Sequence, residues 1–188
     1  MKRINKPGAG RQMAVALVAG LMVIPALSFG ATLPSAEPQG SLQAKVLHEL
    51  RMLPYYGVFD DLGFTVSGDR VTLMGKVVNP VLKSDAENAV KHLTGVAAVD
   101  DQIQVLPLSS FDRDIRMRTY FAIYGYGPLQ KYGVGAWPAI HIIVENGHVT
   151  LVGEVLSEAD RNMAYIRANG VPGAFSVTNE LRLEGHTS

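Results

Sequence analysis

The sequence predicts an α+β fold built as two tandem units. Each unit runs helix–strand–strand–helix–strand, with a mixed three-stranded sheet covered by two helices. Three observations predict this. Residues 64–106 and 142–184 are one pattern written twice, 78 positions apart and without a gap, with nine of 43 aligned positions identical. Within each copy, stretches of period two flank a stretch of helical spacing. Turn residues also recur at the same place in both copies. A repeat of this kind makes each copy a supersecondary unit in its own right. The identical positions are apolar, Gly or Thr, with no His, Ser, Cys or acid among them. No catalytic group therefore belongs to the common unit.

The elements follow in order. Lys2, Arg3, Lys6 and Arg11 precede an almost wholly apolar run from Met13 to Leu27, and Ser28 and Gly30 stand where a signal peptidase reads small residues. Residues 1–30 are thus expected to be an export signal cleaved after Gly30. The competing reading is a retained membrane anchor. The run is shorter than the ~20 residues that span a bilayer, and Pro25 interrupts it. Residues 31–40 hold Pro34, Pro38 and Gly40 among small residues and predict a flexible tether.

The first unit is expected over 41–107. Leu42, Val46, Leu47, Leu50 and Leu53 lie on one helical face, which Pro54 stops. Phe64 and Val66, then Val71, Leu73 and Gly75, alternate as two strands joined at Gly68-Asp69. The second copy has Asn146-Gly147 there. Gly first and Asn-Gly are the two sequence solutions of a primed two-residue turn, so a hairpin is predicted in both copies. Asn79 and Pro80 suit a helix start. In the second copy Ser157 and Asp160 resemble a capping box. Leu82, Ala86, Ala89, Val90 and Leu93 form the buried face of the first copy's second helix. Thr94-Gly95 and Pro172-Gly173 end these helices. Val99, Ile103 and Val105, and then Val177, Leu181 and Leu183, mark the final strands. Asp101 and Asn179 share their inward register, so each must hydrogen-bond backbone. The strand–helix–strand half predicts a parallel pair. The second unit is expected over 111–185, behind a short linker from Pro107 to Phe111, with an insert near 125–138.

These residues resemble the BON domain family. The resemblance rests on Val71, Leu73, Gly75, Val77, Gly95 and Val96 in the first copy. Val149, Leu151, Gly153, Val155 and Gly173 carry it in the second, where Ala174 stands in place of the usual Val. It covers residues 41–185. It implies a periplasmic, non-enzymatic protein that contacts phospholipid or envelope proteins, often under osmotic stress; some members look chaperone-like. No invariant functional side chain transfers. The insert departs from the family pattern. Gly75, Gly95, Gly153 and Gly173 are structural, and the Cβ direction of the two strand glycines is expected to meet a packed helix or neighbouring strand.

Charge and composition narrow the function further. The chain has 17 basic and 17 acidic side chains. Loss of the signal removes four basic ones and leaves 13 against 17, a net charge of −4. That balance gives no general attraction to nucleic acid or to an anionic membrane, so any lipid contact must come from a local patch. With no cysteine, disulfides, thiolate zinc sites and lipoprotein acylation are excluded.

The second copy concentrates aromatic and basic residues: Tyr120, Phe121, Tyr124, Tyr126, Tyr132 and Trp137, interleaved with Arg113, Arg116, Arg118 and Lys131. Tyr and Trp beside Arg suit a wet, partly apolar surface. The expected ligand or membrane surface is Arg116, Arg118, Tyr126, Tyr132 and Trp137. The bland alternative places Phe121 and Tyr124 in the core. Tyr55, Tyr56 and Phe59 are expected to pack the corner after the first helix. His141 and His148 have opposite parity on one hairpin and do not share a metal. Asp60-Asp61 and Asp100-Asp101 are neighbours that point apart, which does not suit acid/base pairing. Ser109-Ser110 lacks a motif partner for nucleophilic catalysis. The insert's glycines, Gly125, Gly127, Gly133 and Gly135, lack the strand-to-helix context of a phosphate loop. No catalytic residue, metal or cofactor is expected, and the sequence does not set an oligomeric state. The functional expectation is an envelope-binding or envelope-maintenance protein. The alternative is a soluble, chaperone-like osmotic-stress protein.

Overall fold

A computed structural model describes residues 39–134 and 137–185. The predicted export signal and residues 31–38 of the predicted tether lie outside the described residues. The first copy comprises α1 (Gln39–Arg51), β1 (Asp61–Ser67), β2 (Arg70–Val77), α2 (Pro80–Lys91), β3 (Ala98–Asp101) and β4 (Gln104–Val105). The second comprises α3 (Ser110–Tyr124), a 3-10 helix over Gly127–Gly133, β5 (Ile140–Glu145), β6 (His148–Val155), α4 (Glu158–Asn169) and β7 (Ser176–Leu183). The insert is that 3-10 helix and the chain leading into β5.

In each copy the middle strand pairs antiparallel with the strand before it and parallel with the strand after it. The two hairpins close as their residues dictate. Gly68 has φ +63° and opens one turn. Asn146 and Gly147 have φ +51° and +81°. The first pattern fits a turn that needs a positive φ only at its first central residue; the second fits one that needs it at both.

α2 starts at Asn79, whose Oδ1 accepts from the Val81 amide at 3.0 Å. α4 starts at Ser157, whose Oγ accepts from the Asp160 amide at 3.1 Å and donates to the Asp160 carboxylate at 2.8 Å. The N-cap half of the expected capping box is therefore present, but the Asp160 carboxylate takes the Ser157 hydroxyl in place of the backbone amide that a full box uses.

Leu42, Val46, Leu50 and Leu53 of the first helix stretch pack with Leu82, Ala86 and Val90 over Val71, Leu73 and Val77. Leu47 does not join them; it is 40% exposed. In the second copy Ile115, Ile123, Ala164 and Ala168 pack over Ile140, Ile142, Val149 and Leu151. The shared Ala86 and Ala164 are both fully buried, where α2 and α4 approach their sheets.

The third strand of the first copy is broken, whereas β7 is continuous. Asp101 Oδ1 accepts from the Ile103 amide at 2.9 Å, and Lys83 Nζ donates to the Ile103 carbonyl at 2.6 Å. Both backbone groups of Ile103 are thereby taken by side chains, and the ladder is interrupted between β3 and β4. Asn179 plays the milder version: its Oδ1 accepts from the Leu181 amide at 3.3 Å and its Nδ2 donates to the Arg161 carbonyl.

Candidate functional site

α3 distinguishes the second copy from the first. Ser109 caps it, accepting from the Asp112 amide at 3.1 Å, so the serine pair of the linker is used in a helix start. Asp112, in the first turn, is buried and accepts from the amides of Asn146 and Gly147 at 3.0 and 2.8 Å. A carboxylate from α3 thus holds the β5–β6 turn. Ile115, Thr119, Ile123 and Tyr124 face the core. Phe111 and Phe121 face outward, 46% and 64% exposed. The alternative that placed both Phe121 and Tyr124 in the core therefore holds for Tyr124 only.

α3 and α4 meet along a seam that carries cations. Arg167 Nε donates to the Ala122 carbonyl at 3.0 Å, and its guanidinium lies 5.0 Å from the Tyr126 ring centre. Arg118 Nη1 donates to the Pro172 carbonyl at 3.1 Å. Ile166 and Phe175 are 58% and 69% exposed, and Phe175 stacks on Phe111 with ring centres 5.6 Å apart. Exposed apolar side chains beside arginines give this seam an amphipathic surface.

Of the surface residues expected from sequence, Arg118 and Tyr126 lie at this seam. Arg116 is buried and donates from Nη2 to the Val144 carbonyl at 2.7 Å. Burial pushes its pKa below the usual guanidinium value, while Asp112 and Asp60 oppose that shift. Tyr132 is also buried. Its hydroxyl accepts from the Leu156 amide at 2.8 Å and donates to Asp160 at 2.8 Å, tying the 3-10 helix to the start of α4. Trp137 lies away from the seam against Tyr56, with ring centres 5.2 Å apart. The five residues are thus divided among a seam, the interior and a junction. Gly75 and Gly153 have φ of +122° and +125°, and a Cβ on either would overlap the carbonyl oxygen of Asp61 or Ala139 on the neighbouring strand. Gly95 and Gly173 also have positive φ, +99° and +95°.

The junction joins the two copies, which lie in one compact unit. The stretch after α1 supplies it. Val58 and Phe59 pack on the core of the second copy, and Phe59 meets Tyr120 edge-on at 6.2 Å. The Val58 carbonyl accepts from the Ile142 amide at 2.7 Å. His141 Nδ1 is 3.2 Å from the Gly57 carbonyl, and its Nε2 is 3.5 Å from the Tyr56 hydroxyl. Tyr55, by contrast, is 77% exposed with φ +70°. The expected packed corner is therefore an inter-unit contact made by Tyr56, Val58 and Phe59. Asp60 holds its shape, accepting from the amides of Gly57 and Val78 at 3.0 and 2.8 Å. Burial raises its carboxyl pKa and these two amide bonds counter the rise. Lys76 and Glu145 add an ion pair at 2.5 Å between the copies. The other hairpin histidine, His148, is exposed and 2.7 Å from Ser176 Oγ.

The comparisons with known proteins fit this duplication. The family model described as the BON domain matches residues 40–107 and again 132–185. The chain belongs to the BON family. No curated protein sequence matches it. Among solved structures it is similar to the C-terminal domain of CdsD, a structural protein of the type III secretion system of Chlamydia trachomatis. That likeness has 14% identity and a TM-score of 0.29, and covers 78% of this chain and 99% of that one. A further CdsD structure gives 13% identity and 0.28, over 76% and 92%. Likenesses of this size carry no argument about assembly or activity. The second family match begins at residue 132, so α3 lies before it.

Among the described residues no three His, Asp or Glu side chains are grouped to hold a metal, and no helix is long and apolar enough to cross a membrane. Sequence reasoning singled out α3 and its cations but missed Phe111, Ile166 and Phe175 as exposed. The available signal was spacing: Phe111 and Arg118 are seven apart, two helical turns, so they share one side of α3 along the margin of its buried face.

Proposed function

We propose that this BON protein is a non-enzymatic periplasmic protein of the cell envelope that binds phospholipid surfaces through the α3–α4 seam. Two BON units behind an export signal resemble the osmotically inducible periplasmic protein Y, and an envelope-maintenance role under osmotic stress follows from that resemblance. The observation that carries the reading is the solvation of Phe111, Phe121, Ile166 and Phe175 beside Arg118 and Arg167. Exposed apolar groups in such a cluster mark an interaction surface. Aromatic rings seat at the headgroup boundary, and each cation near an anionic membrane contributes about 1 kcal/mol. Tyr126, stacked under Arg167, belongs to the same surface.

The test is flotation of the mature protein with vesicles of phosphatidylglycerol and phosphatidylethanolamine, against vesicles of phosphatidylcholine alone. The wild type is expected to float with the anionic vesicles. Phe121→Asp and Arg118→Glu should each weaken binding about tenfold while leaving the fold intact, because both side chains are exposed. Equal flotation of wild type and Phe121→Asp would rule the seam out as the lipid surface.

A further inference from the structure

The duplication allows the same strand edge to be compared twice in one molecule. In a hairpin closed by a two-residue turn, alternate residues exchange ladder bonds and those between them turn N–H and C=O outward. In β5 the outward residues are Ile140, Ile142 and Val144. Each has one outward group taken: Tyr124 Oη donates to the Ile140 carbonyl at 2.5 Å, the Val58 carbonyl accepts from the Ile142 amide, and Arg116 donates to the Val144 carbonyl. In β1 the outward residues are Leu62, Phe64 and Val66. The Tyr56 hydroxyl meets the Leu62 backbone. Among the described residues none bonds the outward backbone groups of Phe64 or Val66. The matched edges therefore differ: one is held at every outward residue, and the other is open at Phe64 and Val66.

A groove runs beside the open edge, with a volume of about 480 Å³. Its lining includes Leu47 and Leu50 of α1, Leu62 and Phe64 of β1, and Tyr56 and Trp137, with residues of β6 from the second copy on it as well. That size is in the range of ligand sites, and such sites favour domain interfaces. The groove is continuous with the inter-unit junction, since Tyr56 and His141 line both. At that junction one backbone bond of this kind already forms, from the Ile142 amide at the edge of β5 to the Val58 carbonyl. The charged residues around the groove are Arg51 and Arg182 against Asp61 and Glu154, two of each sign, so neither an anionic nor a cationic ligand is selected.

We propose that the edge of β1 and the groove beside it dock an extended, uncharged, apolar segment of a partner polypeptide, added to the first sheet as a further strand. Free N–H and C=O groups at an edge template such pairing. Backbone bonds then supply affinity, and alternate side chains of the segment enter the apolar groove beside α1 and Trp137. This site is separate from the α3–α4 seam and does not depend on lipid binding there.

The test uses the full mature protein and capped hexapeptides alternating Val and Thr. The controls are the same peptides N-methylated at every backbone amide, so that neither edge can pair. Hydrogen exchange is followed by NMR at Phe64 and Val66, and Trp137 emission reports occupation of the groove. The unmodified peptide should slow exchange of both amides at least tenfold, and the N-methylated peptide should not. Leu47→Lys, on an exposed helix position, should weaken binding at least tenfold. Val66→Pro removes an outward N–H and should do the same with an unchanged far-ultraviolet spectrum. If that variant does not fold, Leu47→Lys and the N-methylated peptide decide the matter. Unchanged exchange at millimolar peptide would overturn the proposal, as would equal binding of the N-methylated peptide. Strong protection of Phe64 and Val66 before any peptide is added would also overturn it, because a second copy or another part of the chain would already hold the edge.

Discussion

Replacing Gly153 with alanine tests how the hairpins are built. Gly153 has φ +125°, and a Cβ there would lie 2.0 Å from the Ala139 carbonyl oxygen and 3.1 Å from its carbon. Two costs combine. A non-glycine residue in this backbone region costs about 1–3 kcal/mol. Displacing a strand backbone to relieve the overlap costs about 1–3 kcal/mol more, as overpacking does elsewhere. The neighbour cannot swing aside, because it is main chain, and the Ala139 carbonyl accepts from the Glu154 amide at 3.0 Å. The expected loss is about 3 kcal/mol. For a domain of this size it lowers the melting temperature by roughly 6–12 °C. Thermal unfolding followed by far-ultraviolet circular dichroism measures it. Gly127→Ala is the control, since a Cβ there meets nothing within 4 Å and its φ is ordinary. A drop below about 2 °C for Gly153→Ala, or an equal drop for the control, would refute the account.

Three further outcomes follow from the contacts. Tyr124→Phe removes the bond to the Ile140 carbonyl at the edge of β5; it should cost about 1–2 kcal/mol in urea unfolding, with little change in m-value. Asp112→Ala removes the acceptor of two turn amides in a buried setting. It should cost about 2–4 kcal/mol and speed amide exchange at Asn146 and Gly147. His141 sets a pH dependence. Burial lowers its pKa below the ordinary 6.5, against the opposing pull of Asp61, Gly57 and Asp60. The folded state therefore prefers the neutral imidazole. Its contribution to stability is complete above pH 6.5 and is lost as pH falls from there toward the lower folded pKa. Melting temperature should decline from pH 7.5 to 5.5, and His141→Asn should flatten that decline; an identical slope in the variant would count against this origin.

Much of the architecture was legible in the chain because it is local. Gly68-Asp69 and Asn146-Gly147 each admit few backbone solutions, and both hairpins formed there with the positive φ those residues allow. Asn79 and Ser157 sit where a helix needs an acceptor, and each accepts from the amide that a cap should satisfy. Asp101 and Asn179 were legible for the same reason: a polar side chain in an inward register must find backbone nearby, and each does. The 78-residue period fixed that these solutions would be used twice.

What the chain could not show from local pattern was which faces meet at long range. Arg116 and Tyr132 read as surface groups because Arg and Tyr beside other aromatics usually are. Tertiary packing buried them, since Val144 needed a donor at an uncovered edge and Leu156 an acceptor beside α4. Trp137 read as part of the same surface, yet it packs on Tyr56, 81 residues earlier in the chain. Phe121 could have served a core equally well by composition, and only the rotation of α3, set by Asp112 and Ile115, turned it outward. Local steric rules act on neighbours and are written in order along the sequence. The junction of the two copies depends on the fit of one unit's loop into the other unit's core, where Val58 and Phe59 decide the contact, and that fit exists only once both units have folded.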